Sequence, residues 1–258
     1  MNNRKQNHNL NYLYILIGLV ILLLIWEIGS KSFNNFQIFP DVVVTLKEVF
    51  KILSGGEIYL AILTSFGICF LTLIIAFLLA IILGVLAGLF EPVNKILTPF
   101  IAVMKVAPTA IVVILLLVFV KSIISTFVVI FLVVFPILYE AILNGIKNID
   151  KFIILSLKLE GLYTFNSIFK VIIPTIMPYI YLGIVQSIGL SMKVEIMSEI
   201  VIGSQSIVGL GHFVYLAYAI NADFIELFGL VFITLMAFAI VDFFLYKIKK
   251  YLKKESFL

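Results

Sequence analysis

The chain has 258 residues, of which 63% are hydrophobic and 12% charged, and its mean hydropathy is +1.24. A soluble globule is nearer half apolar and a quarter charged, so the composition excludes one and indicates an integral membrane protein. The formal charge of +4 is modest and, given how the lysines are distributed, requires no nucleic-acid partner. At about 20 residues per helical crossing, the apolar length allows roughly five to seven spans. Cys69, the single cysteine, lies in an apolar run. It excludes an intrachain disulfide and reads as a buried, inert thiol.

A polar tail with Arg4 and Lys5 precedes an apolar run over 12–28. That run is long for the core of a secretory signal, and its exit, WEIGSKS, lacks a small-x-small cleavage site, so a retained first span is expected. Glu27 near its outer end reads as an interface carboxylate. In the mixed stretch 30–58, FQIFPDVVVTLKEVF predicts a loop and a short helix with Pro40 at or near the first turn. Val44, Leu46, Val49 and Phe50 offer that helix an apolar face for the membrane surface.

The second span, over 59–90, is too long for one perpendicular crossing and must tilt or extend beyond the bilayer. Ala76, Ala80, Gly84 and Gly88 recur in it every four residues. Such a ladder of small residues lets another helix approach closely, within the chain or between two chains. A third span follows the turn EPVNK and is interrupted by Pro99, Lys105 and Pro108. Prolines inside a membrane helix free carbonyls that need protein or water nearby, and a lysine there must face a bundle interior, a cavity or the headgroups. Lys105 and Pro108 are therefore candidates for lining a pathway at a broken helix; snorkelling to the interface is the plainer alternative.

A fourth span over 123–143 contains Pro136, and Glu140 near its end reads as an interfacial residue close to Lys147. Residues 144–178 are then too polar for lipid, yet their apolar residues recur with helical spacing. Ile153, Ile154 and Leu157, then Ile168, Phe169 and Ile172, fall along one stripe. Gly161 is expected to divide the stretch into two short helices. The fifth span, from about Val171, carries Gln186, Ser187, Ser191, Lys193, Glu195, Ser198 and Glu199. That polarity predicts a face turned to water or to partner chains, and makes Gln186, Ser191, Lys193, Glu195 and Glu199 pathway candidates. Gly203, Gly209 and Gly211 punctuate the loop that follows. His212 has no second histidine or cysteine beside it, so no metal site is expected. A sixth span over 224–246 ends in KIKKYLKK.

With six spans and the N-terminus inside, twelve basic residues fall on the cytoplasmic side: Arg4, Lys5, Lys95, Lys147, Lys151, Lys158, Lys170 and the five C-terminal lysines. Lys31, Lys47, Lys51 and Lys121 fall opposite. That asymmetry follows the positive-inside rule and places both termini and the amphipathic stretch in the cytoplasm. No HExxH, GxSxG or G-x-x-x-x-G-K-[ST] pattern occurs, so neither a membrane enzyme nor an ATPase is indicated.

Gly161, Val171, Ile173 and Pro174 stand in a frame that resembles the EAA loop of bacterial ABC importer permeases, roughly EAA-x3-G-x9-I-x-L-P. Leu155, Ser156 and Leu157 occupy the EAA positions, so the acidic residue is missing, and Ile173 replaces leucine. IFPDVVVTLKEVF, MKVAPTAIVVILLLVF and SEIVIGSQSIVGLG resemble, in order, segments of the nitrate, taurine and aliphatic-sulfonate branch, whose relatives also carry thiamine-precursor-like compounds. Lys105 takes an arginine position there, and the spacing before Gly209 is slightly long.

The resemblance implies an all-α, type I ABC permease of about six spans with a cytoplasmic coupling helix between the fourth and fifth. It implies a tail, first span and external segment over 1–55, a permease domain over 56–250 and a basic tail over 251–258. Two ATP-binding subunits would grip residues 155–170 of each chain, with Gly161, Thr164, Phe165, Phe169 and Pro174 as coupling residues. ATP and Mg would sit on those partners and no cofactor on this chain. An extracytoplasmic binding protein, a second permease copy, the bilayer of a bacterial inner membrane and a small anion such as nitrate or a sulfonate complete the expectation. An ion- or proton-driven secondary carrier is the alternative; it would rest on Lys105, Lys193 and Glu195.

Overall fold

The structure, a computed structural model, describes the backbone of residues 2–33, 35, 37–159 and 164–255, and their side chains except those of 2–12, 158, 165 and 248–255. Every regular element among them is helical. The chain divides into two compact units, Met1–Tyr59 with Phe213–Ala237, and Leu60–His212 with Phe238–Leu258.

In the first unit, α1 runs over Asn2–Phe33, and its span Leu13–Phe33 is strongly apolar and almost entirely uncovered. A helix of that kind is stable in lipid, not in water. Its polar exit holds the loop that follows: Trp26 Nε1 donates to Pro40 O at 3.0 Å and Ser30 Oγ to Phe39 O at 2.8 Å. The Phe39 and Trp26 rings both pack on Phe228, at 5.2 and 5.7 Å. Pro40 stands just before the helix cap, and Asp41 does the capping, its Oδ1 accepting the Val44 N–H at 2.7 Å to start α2 (Val42–Gly55). Thr45 and Val49 are the buried residues of α2, whereas Leu46 and Phe50 are exposed. The expected apolar face is thus split, because α2 turns toward Gly229, which has Ile52 and Glu48 against it. Glu48 also pairs with Lys51 at 2.8 Å and pushes the lysine pKa up from its ordinary value.

The second unit is built on α6 (Ser122–Lys147), half of whose apolar window is buried. Long helices α3 (Glu57–Leu89) and α9 (Ile173–Ile202) pack beside it. Ala76 and Ala80 are fully buried. A Cβ on Gly84 would stand 2.9 Å from Ile142 Cγ2, and one on Gly88 2.7 Å from Ile146 Cδ1. The small-residue ladder of α3 is where the branched side chains of α6 seat, which is how helices associate when lipid gives no hydrophobic drive.

Between α3 and α6, α4 (Glu91–Val106) and α5 (Thr109–Leu117) meet at 93°. The break falls at one place. Ala107 leaves the helix with ψ 123°, the extended backbone a residue before proline prefers, and Pro108 has no N–H to continue the ladder. Pro99 does not interrupt the span as expected; α4 runs through it. The described residues hold five helices long and apolar enough to cross a membrane, and six crossings when α4–α5 is taken as one broken span.

Candidate functional site

Three places in the second unit carry polar or exposed groups that packing alone does not explain. The first is α7 (Lys151–Leu159), between α6 and α9. Asp150 starts it, accepting the Phe152 N–H on Oδ1 at 2.8 Å and the Ile153 and Ile154 N–H groups on its carbonyl. Its inner side is anchored by buried Leu157, with Ile153 and Ile154 against the core. Its outer side is also apolar: Phe152, Leu155 and Leu159 are 78%, 54% and 81% exposed. These fall at intervals of three and four, so they form a second stripe on the same helix.

Gly161 lies outside the described residues, as does the Phe165 side chain. Thr164 caps the short helix α8 (Phe165–Ser167): its Oγ1 accepts the Ser167 N–H at 3.2 Å, and its carbonyl accepts Ser167 Oγ and the Ile168 N–H. Ile168–Ile172 is a π-helix. Pro174, two residues past its end, supplies no N–H, and the wider turn lets the Ile173 N–H reach Ile168 O. The same widening breaks the expected stripe. Ile172 is buried, but Phe169 is half-exposed and leaves the line of Ile168 and Ile172.

The second place is a buried polar stripe on α9. Ser187, Ser191, Glu195 and Glu199 stand four residues apart and are all buried. That corrects the expectation that this face meets water or partner chains: Ser191, Glu195 and Glu199 turn into the subunit. The reason is polar company on neighbouring helices. Ser65 and Cys69 of α3 border Glu195, and Ser198 Oγ donates to Thr126 Oγ1 of α6 at 2.9 Å. Both Glu195 oxygens, Glu199 Oε1 and Ser187 Oγ have no hydrogen-bond partner among the described residues.

Glu199 Oε2 takes the backbone N–H groups of Gly211 and His212, at 2.8 and 3.2 Å, and Ser65 Oγ accepts the Leu210 N–H at 2.9 Å. The loop after α9 reaches this position by turning at Gly203, whose φ of 71° suits glycine. A Cβ on Gly209 would collide with the Glu199 carboxylate, and one on Gly211 would stand 2.7 Å from Glu199 Cβ. Lys193 pairs with neither glutamate. It is exposed, and at two and six positions from the buried glutamates it does not share their face of the helix. Gln186 is exposed as well.

The third place is the face of α4 beside α6. Lys105 Nζ donates to Glu140 Oε1 at 2.8 Å and to Oε2 at 3.0 Å. Glu140, expected as an interfacial residue close to Lys147, has Lys105 as its ion-pair partner, brought to it by a helix 35 residues earlier in the chain. No local spacing links the two, so only the tertiary fold reveals the pair. They border an open cleft of about 320 Å³ with Asn94, Thr98 and Tyr139. Pro108 is exposed one turn beyond, at the break.

Residues 80–255 match the family described as binding-protein-dependent transport system inner membrane component. Among solved structures the chain is similar to an amino acid ABC transporter with histidines, at a TM-score of 0.63 and 13% identity, over 80% of this chain and 96% of that one. At that identity the shared property is the fold. No curated protein sequence matches.

Proposed function

This chain belongs to the family of binding-protein-dependent transport system inner membrane components, and we propose that two copies of it enclose the translocation pathway of an ATP-driven importer. It is a multi-pass, all-helical permease subunit of an ABC importer with the type I fold, a transport subunit that works with an ATPase and a substrate-binding protein. The finer reading is ours. α7 docks in a groove of the ATP-binding subunit, one per permease copy, and ATP and Mg reside on that partner. Both termini face the cytoplasm of a bacterial cell and the spans sit in its inner membrane. The permease domain covers 56–250, and the cargo is a small solute of the nitrate, taurine and sulfonate class or a thiamine-precursor-like compound.

One observation carries the docking: α7 is apolar on both sides, and one side is already used. Leu157, with Ile153 and Ile154, fixes the helix to the core, while Phe152, Leu155 and Leu159 remain outward between two spans. Helix-in-groove recognition reads such a stripe through a few large apolar anchors. Because α7 lies beside the ends of α3 and α6, with Ile154 and Leu155 sharing a cleft with Gly88, Leu89 and Ile146, a push on it reaches the spans. The test is reconstitution with the ATPase and binding protein. Uptake should require ATP, and Leu155→Glu should abolish uptake and ATPase co-purification without loss of membrane insertion. Uptake driven by an ion gradient without ATP would overturn the reading.

A further inference from the structure

We propose that the cleft where α7 meets the ends of α3 and α6 binds one anionic phospholipid. Lys147 and Lys151 hold its phosphate, and Gly88, Leu89, Ile146 and Ile154 receive its glycerol and first acyl carbons. The inference goes beyond the permease reading, since it depends on neither the cargo nor the ATPase. The cleft is about 320 Å³, at the small end of ligand sites, so it takes part of a lipid and not the whole of one. Its level in the bilayer follows from the spans themselves. α3 crosses as Glu57–Leu89 and α6 as Ser122–Lys147, and the last two residues of each crossing stand in the cleft wall. Beyond Leu89 the chain soon reaches Glu91 and Lys95, and beyond Lys147 it reads Asn148, Asp150 and Lys151. Hydrocarbon therefore gives way to headgroups where the cleft lies.

The lining selects the occupant. Both lysines are exposed, and among the described residues neither has an ion-pair partner. Lys95 nearby in the chain differs, since Glu91 holds it at 2.9 Å. Asp150 stands between the two lysines in sequence, but its Oδ1 holds the Phe152 N–H at 2.8 Å as the cap of α7, and it pairs with neither. Lysines at the end of a membrane helix lay their stems along apolar surface and carry the charge to the headgroups. A free anion would use the two ammonium groups and leave the apolar wall wet. A zwitterionic lipid would use the wall, but its own cation opposes the lysines. An anionic phospholipid uses both. Each lysine near an anionic lipid is worth about fivefold in affinity, so two give roughly 30-fold. Seated there, the lipid fills the gap between α7 and the spans.

The experiment titrates the full chain, solubilised in a neutral detergent, with dioleoylphosphatidylglycerol or dioleoylphosphatidylcholine and counts retained lipid by native mass spectrometry. Phosphatidylglycerol should be retained at least about tenfold more tightly than phosphatidylcholine. Lys147→Gln with Lys151→Gln should remove that preference, Lys147→Arg with Lys151→Arg should keep it, and Lys95→Gln should leave it unchanged. Excess inorganic phosphate should not displace the lipid, because it has nothing to set against the apolar wall. Equal retention of the two lipids, a preference that survives the double glutamine variant, or complete displacement by inorganic phosphate would overturn the inference. The first and third outcomes need no variant, so a double variant that fails to fold does not shelter it. Repeating the titration with the ATPase bound separates one further occupant, and the lipid should stay in place. If the ATPase expels it and the glutamine variant loses ATPase affinity, the cleft takes an acidic side chain of that partner. The lipid site then falls while the docking of α7 stands.

Discussion

Glu199 Oε2 accepts the backbone N–H of Gly211 at 2.8 Å, twelve residues on, so a carboxylate of α9 holds the loop that leaves α9. The same oxygen takes the His212 N–H at 3.2 Å. Glu199→Ala would leave the buried Gly211 N–H and the partly buried His212 N–H unmet, and an orphaned buried group costs about 1–3 kcal/mol. The variant should melt well below wild type in detergent. Glu199→Gln keeps a carbonyl acceptor and should lose less. A Glu199→Ala protein with unchanged thermal unfolding would show that the loop needs no such latch.

Gly211 tests the same latch from the other side. Its added Cβ would meet the Ile196 carbonyl, which is backbone and cannot swing aside, and Glu199 Cβ at 2.7 Å. Gly211→Ala should therefore cost about 1–3 kcal/mol through overpacking. Gly67 has nothing within 4 Å of its built Cβ, so Gly67→Ala in helix α3 should be neutral or slightly stabilising. Equal melting temperatures for the two alanine variants would contradict this account.

The α3–α6 seam predicts a coupled pair. A Cβ on Gly88 meets three atoms of Ile146 at 2.7–2.8 Å. Gly88→Ala should cost about 1–3 kcal/mol, and Ile146→Ala about 2–5 kcal/mol as a cavity. The double variant should be milder than their sum, because the new methyl occupies space the isoleucine vacates. Neighbouring residues that share a contact show interaction energies of about 0.5–3 kcal/mol. Strict additivity in an unfolding titration would mean the two residues do not touch.

The chain's apolar runs made the spans readable, since lipid demands about 20 apolar residues per crossing whatever else the sequence does. The ladder from Ala76 to Gly88 was readable for the same reason: only small residues permit close helices. What failed were statements about which way a polar side chain turns. Glu195 and Glu199 were expected on a wet face, but Ser65, Cys69 and Thr126, more than 60 residues away in sequence, draw that stripe inward. Spacing within α9 fixes that the four residues share a side, and cannot fix what the side meets. Lys105 and Glu140 show the same limit, because their partnership exists only once α4 lies beside α6. In α7 the outward stripe could have been found. Phe152, Leu155 and Leu159 obey the same periodicity as the inward set, and a helix apolar on two sides needs two partners.

That two-sidedness gives the sharpest contrast between stability and coupling. Leu157 is 5% exposed and packs in the core, whereas Leu155, two positions earlier, is 54% exposed. Leu157→Ala should cost about 2–5 kcal/mol of stability by opening a cavity and lower the yield of folded protein. Leu155→Ala, with Phe152→Ala and Leu159→Ala, removes nothing the isolated subunit uses and should leave its thermal unfolding within about 0.5 kcal/mol of wild type. In the assembled importer the order reverses. Truncating an anchor of a helix seated in a groove costs about 2 kcal/mol or more, or roughly 30-fold in affinity for the ATPase. Titrating ATPase onto the three outward variants in nanodiscs, beside melting curves of the free permease, separates the two effects. Outward variants that bind ATPase as wild type does would leave α7 without a docking role.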